Sequence, residues 1–213
     1  MGENEEMPSV AEEQGQDYSE IVNVVISESD FHSLRNAINQ EIGEVLGRVD
    51  GKEVERLVDE ILNAEKVFFV AVGRVFLSLQ CFAKRLAHLG IESHVVGSVN
   101  EKAITDKDLL IAASGSGESI MPVEIAKKAR KFNARIGLIT SARESTLKNL
   151  ADFSVHLPCP TKNDPDYGVK SVQPMSTLFD QTLHIFGDII AMVIQNERAL
   201  SKEELWKYHA NLE

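Results

Sequence analysis

Six consecutive residues, Ser114-Gly115-Ser116-Gly117-Glu118-Ser119, combine three hydroxyl side chains with two glycines. Glycines let backbone N–H groups approach a ligand, and hydroxyls donate hydrogen bonds. A helix start adds further N–H groups and a dipole that favours negative charge. That combination suits a phosphate monoester and requires no metal ion. The same run also suits a plain serine-rich turn with a capping residue. A second pair, Gly73-Arg74, follows the apolar stretch Lys66–Val72. There Gly73 would permit a tight turn and Arg74 would hold a phosphate or sugar oxygen; an ordinary turn beside a solvated charge fits equally. Neither loop reads G-x-G-x-x-G or G-x-x-x-x-G-K-[ST], so dinucleotide and nucleotide-triphosphate binding are poorly supported.

The elements that must position these loops are legible from periodicity. Lys66–Val72 is a short apolar run without alternation, the pattern of a strand buried on both faces of a parallel sheet. Similar runs recur at His94–Val96, Leu109–Ala113, Arg135–Thr140 and Phe153–Leu157. Helical stretches are predicted between them at Phe76–Leu89, Met121–Phe132 and Ser145–Leu150, with two helices before (Phe31–Val49, Gly51–Asn63) and two after (Ser176–Asn196, Lys202–Asn211). Strands alternating with helices predict βαβ units. The expected fold is therefore α/β, a three-layer sandwich with a five-stranded parallel sheet between helices. Both candidate loops then fall at strand-to-helix turns, where open parallel sheets bind ligands. Pro158–Pro174 is a polar, proline-containing connection long enough to be functional or mobile.

Composition narrows the classes. The 213 residues suit one sizeable core, with 43% hydrophobic and 26% charged residues. The net charge is −11, and residues 1–34 contain no Lys or Arg but carry Glu3, Glu5, Glu6, Glu12, Glu13, Asp17, Glu20, Glu28 and Asp30. Without these nine the remainder is close to neutral, so no basic face for nucleic acid is expected. Residues 1–30 read as an acidic, solvated tail and 31–213 as a single domain. No run approaches the roughly 18 apolar residues of a membrane helix. Cys81 and Cys159 are too few for a metal site or disulfide framework and are expected as reduced thiols in a cytoplasmic protein.

Several segments together resemble the sugar isomerase (SIS) family, and within it the 6-phospho-3-hexuloisomerase branch. These are Ala83–Gly90, Asp108–Ile111 leading into Ser114, Ser116, Gly117 and Ser119, and Gln173-Pro174-Met175-Ser176-Thr177-Leu178-Phe179-Asp180-Gln181. The resemblance implies cofactor-free isomerisation of a hexose phosphate through an enediol. The phosphate would lie on the serine loop, near Gly73 and Arg74. It further implies Asp180 as base, His88 as acid or base, and Glu118 as a group acting on the sugar. A homodimer or homotetramer with the site completed across the subunit boundary is implied as well. Ala71 and Val75 depart from the family's first loop, Asp180 stands for the usual Glu, and Ser176 for a glycine. Those departures also fit a regulatory module that binds phosphosugars without turning them over.

Overall fold

The computed structural model describes residues 27–212. The acidic residues up to position 26 lie outside that range. Residues 28–30, expected as the end of the tail, instead form the first turn of α1 (Glu28–Gly47). The reason is a capping box: Ser27 accepts from the Asp30 amide, and the Asp30 carboxylate accepts from the Ser27 amide.

After α1 and α2 (Gly51–Asn63), five strands follow: β1 (Val67–Val70), β2 (Ser93–Val95), β3 (Leu109–Ala113), β4 (Arg135–Thr140) and β5 (Phe153–His156). They form one sheet, all neighbours parallel, in the order β2-β1-β3-β4-β5. Between them run α3 (Gly73–His88), α4 (Ile120–Arg130) and α5 (Thr146–Leu150), followed by α6 (Thr177–Glu197) and α7 (Lys202–Lys207). The expected five-stranded α/β sandwich is the observed one.

The sheet separates two cores because successive strand residues face opposite sides. Val67 and Phe69 of β1, with Leu109 and Ile111 of β3, pack on residues from α1, α2, α3 and α6. Phe68 and Val70, with Leu110 and Ala112, pack on Val123, Ala126 and Ala129 of α4 and Leu147 of α5. Helix α6 is long and apolar enough to pass for a membrane span. Its Leu183, Phe186, Ile190 and Ile194 are buried, so it is the central helix of the first core. Close approach of α6 to α3 depends on Gly187, where a Cβ would stand 2.9 Å from Phe82 Cβ. That contact sets the spacing between the helices carrying Arg74 and Asp180.

Candidate active site

In this strand order the chain reverses direction between β1 and β3, and the loops leaving their carboxyl ends open a crevice there. Gly73 and Arg74 leave β1 on one side. Gly73 has φ +61°, a left-handed conformation that a residue with a Cβ adopts only under strain. Ser114 to Ser119 leave β3 on the other side.

The serine loop is cross-linked from beneath. The Ser114 amide donates to Ile139 O (3.1 Å), Thr140 Oγ1 donates to Ser114 O (2.7 Å), and the Leu147 amide donates to Gly117 O (3.1 Å). Within the loop Ser114 Oγ accepts from the Gly117 amide (3.0 Å) and lies 3.1 Å from Ser119 Oγ. Gly117 has φ +67°, and a Cβ there would collide with Ser145 Oγ, so only glycine fits the turn. Ser119 is the N-cap of α4 yet makes no side-chain capping bond, and Pro122 in the first turn has no N–H. The helix start therefore offers its opening N–H groups to a ligand.

Asp180, in the first turn of α6, reaches the same crevice from the opposite wall. Arg74 Nε donates to Asp180 Oδ2 at 2.9 Å, and Ser78 Oγ donates to the Asp180 carbonyl at 2.9 Å. Asp180 Oδ1 is buried with no hydrogen-bond partner among the described residues. Burial pushes the Asp180 carboxyl above its ordinary value, and the Arg74 guanidinium offsets that only in part. A basic carboxylate with one oxygen clamped and the other left without a partner is suited to taking a proton.

Gly73, Arg74, Ser114, Ser116, Ser119 and Asp180 line one cavity of about 300 Å³. Val75, Thr161, Lys162, Met175, Ser176 and Thr177 also line it, as do Val72, Ala113 and Gly115. Thr161 and Lys162 come from the long connection after β5. Its length pointed to a functional or mobile segment without indicating which residues face the crevice. Gly117 stands behind the loop and shapes it.

Two expected residues lie elsewhere. Glu118 faces an adjoining cavity with Ser116, Arg143, Asp164 and Tyr167. There its Oε1 accepts from the Thr146 amide at 2.7 Å, which holds its carboxyl below the ordinary range. His88 ends α3, about 22 Å along the helix from Gly73 at 1.5 Å per residue. It stacks on His209 (ring centroids 5.0 Å apart) and lines a separate cavity with Trp206 and Asp188. A straight helix cannot bring both its ends to one crevice, so the chain's own His88 does not reach Asp180.

Cys81 is exposed and Cys159 buried, both free thiols, with burial pushing Cys159 up to about 12. Among the described residues no group of three or more His, Cys, Asp or Glu is placed to hold a metal ion.

An open parallel sheet with a serine-lined crevice at its switch point defines the class: an α/β protein of the doubly wound type. The SIS domain model matches residues 60–185, and the chain belongs to the SIS domain family. It is 33% identical to the 3-hexulose-6-phosphate isomerase of Bacillus subtilis over 165 residues, 78% of this chain and 89% of that one. To the 3-hexulose-6-phosphate isomerase of Mycobacterium gastri it is 34% identical over 184 residues, covering 86% and 92%. A crystal structure from Methanococcus jannaschii, described as inferring a 3-hexulose-6-phosphate isomerase function, superposes with a TM-score of 0.74 at 30% identity. That match covers 84% of this chain and 98% of the other.

Proposed function

We propose that the protein is a cofactor-independent phosphosugar isomerase that interconverts 3-hexulose 6-phosphate and fructose 6-phosphate. The observation carrying this reading is that the serine loop and the Asp180 carboxylate, one oxygen of which has no hydrogen-bond partner among the described residues, line one cavity. The phosphate lies on Ser114, Ser116, Ser119 and the start of α4, with Lys162 adding positive charge to the lining. Asp180 takes the proton from C2 of the 3-ketose, the C3 carbonyl oxygen gains a proton, and a 2,3-enediol forms. Asp180 returns the proton to C3 while the C2 hydroxyl loses its own, giving the 2-ketose. Atoms and electrons balance with no external oxidant or reductant. Glu118, tied to α5, supports the loop instead of exchanging protons.

His88 joins the reaction only if a second copy of the chain carries it to the crevice. Leu77 on α3 and Ile185, Ile189, Met192 and Val193 on α6 form an exposed apolar face beside it. Such a face supports a homodimer or homotetramer built through these helices. The direct test is turnover of 3-hexulose 6-phosphate, read as fructose 6-phosphate in a coupled assay, for wild type, Ser116→Ala and Asp180→Ala. Activity in wild type alone supports the reading. An inactive wild type that fructose 6-phosphate still protects against heat would point to a phosphosugar-binding regulator.

A further inference from the structure

Glu41 is a carboxylate buried on α1, outside the span matched by the SIS domain model. Its Oε2 accepts from Ser171 Oγ (2.7 Å) and Gln173 Nε2 (3.0 Å), and its Oε1 from the Val172 amide (2.8 Å). The Gln173 amide closes the group by donating to Ser171 Oγ (3.0 Å). All these donors come from three consecutive residues at the end of the connection from β5 to α6. Burial works to raise the Glu41 carboxyl, yet the bonds from Val172, Gln173 and Ser171 bring it below its ordinary value, so the anchor stays charged. The post itself is fixed, because the next residue, Ile42, and Val45 belong to the first core.

The chain then enters the turn Pro174-Met175-Ser176-Thr177. Met175 takes φ +53°, and Thr177 Oγ1 donates to Pro174 O at 2.7 Å. Met175, Ser176 and Thr177 form one wall of the crevice. A non-glycine residue at positive φ persists only where its surroundings hold it. We infer that Glu41 is a positioning residue for the phosphosugar crevice, pinning residues 171–173 to α1 and so fixing the 174–177 wall. This rests on the isomerase reading for its effect on turnover. The Asp180 amide donates to Ser176 O (3.1 Å), but its carboxylate and carbonyl have anchors outside the wall in Arg74 and Ser78. Loss of Glu41 therefore displaces the wall that meets the substrate and leaves the base in place.

The test uses the full chain with Glu41→Gln, which keeps the side-chain volume, and Glu41→Ala. Steady-state kinetics on 3-hexulose 6-phosphate are paired with amide hydrogen exchange over residues 172–177. The expected result is KM raised about tenfold with kcat within about twofold of wild type, the signature of lost ground-state contacts. Exchange over 172–177 should quicken while β1 and β3 amides keep their protection. A purely structural role would lower apparent kcat in proportion to the folded fraction and leave KM unchanged, overturning the inference. Unaltered exchange at 172–177 in both variants would overturn it as well. If wild type itself shows no turnover, the isomerase reading fails. The Glu41 inference is then decided by the exchange pattern together with the affinity for fructose 6-phosphate, which both variants should weaken.

Discussion

Arg74 and Asp180 are 106 residues apart in sequence, yet Nε of one lies 2.9 Å from Oδ2 of the other at the mouth of the crevice. The arginine side chain is 64% exposed and the aspartate 5%. The pair thus joins a solvated cation to a buried anion, and the burial of that anion is only partly offset. A carboxylate in this state is more basic than an ordinary aspartate, and it lowers stability wherever it is ionised.

Asp180→Asn should therefore abolish turnover without weakening the fold. Loss of a general base lowers kcat by about 100-fold or more. The folded-state pKa is raised, so the stability linked to Asp180 is fully present below the unfolded value and is lost as pH rises through the folded value. The melting temperature of Asp180→Asn should match or exceed wild type at pH 8, and the gap in its favour should shrink towards pH 3.5. Thermal unfolding of both proteins at the two pH values checks the sign.

Arg74 should set the acid limb of the pH profile. Asp180 must be ionised to act, so kcat/KM falls as pH drops through its raised pKa, above the ordinary aspartate value of 3.8. Arg74→Gln removes the cation that holds this pKa down, and the limb should move to higher pH. A profile of kcat/KM against pH for both proteins measures the displacement; an unmoved limb would show that another group titrates there.

Val75 lines the crevice where a serine would offer a hydroxyl to the substrate. Val75→Ser should lower KM by about fivefold, the worth of one net hydrogen bond near 1 kcal/mol. The value of kcat should stay close to wild type. Initial-rate kinetics across substrate concentrations test this, and a raised KM would mean that the valine itself packs on the sugar.

Asp180→Asn and His88→Ala should complement one another when co-expressed. If His88 serves the crevice of a neighbouring copy, each single variant is impaired, and half of randomly mixed dimers carry one intact site. Activity of about a quarter of wild type is then expected. The mixture would remain as inactive as its parents if His88 acted only within its own chain. Light scattering on Met192→Glu, which places a charge in the exposed apolar face, should show a smaller species than wild type.

What the sequence determined by itself was whatever is encoded over short distances. The apolar runs marked β1, β3 and β4 most plainly, because strands buried on both faces leave no alternation to misread, while the edge strands β2 and β5 are only partly buried. The serine loop was legible because six contiguous residues make it, and its glycines suit a tight turn. Gly73 and Arg74 were named from their place after the first strand and Asp180 through family resemblance, and the structure brings all three to one crevice. Only the tertiary structure decided the strand order β2-β1-β3-β4-β5, which places the β1 and β3 loops side by side. It also turned Glu118 towards α5, brought Thr161 and Lys162 to the crevice, and tied Glu41 to a segment 130 to 132 residues away. His88 sits at the far end of the helix that Gly73 begins, a separation set by helix rise alone. Apart from that helix-set distance, these relationships depend on packing between elements distant in the chain, where a carboxylate's partner is chosen by which helix lands beside it. No local pattern of residue types records that choice.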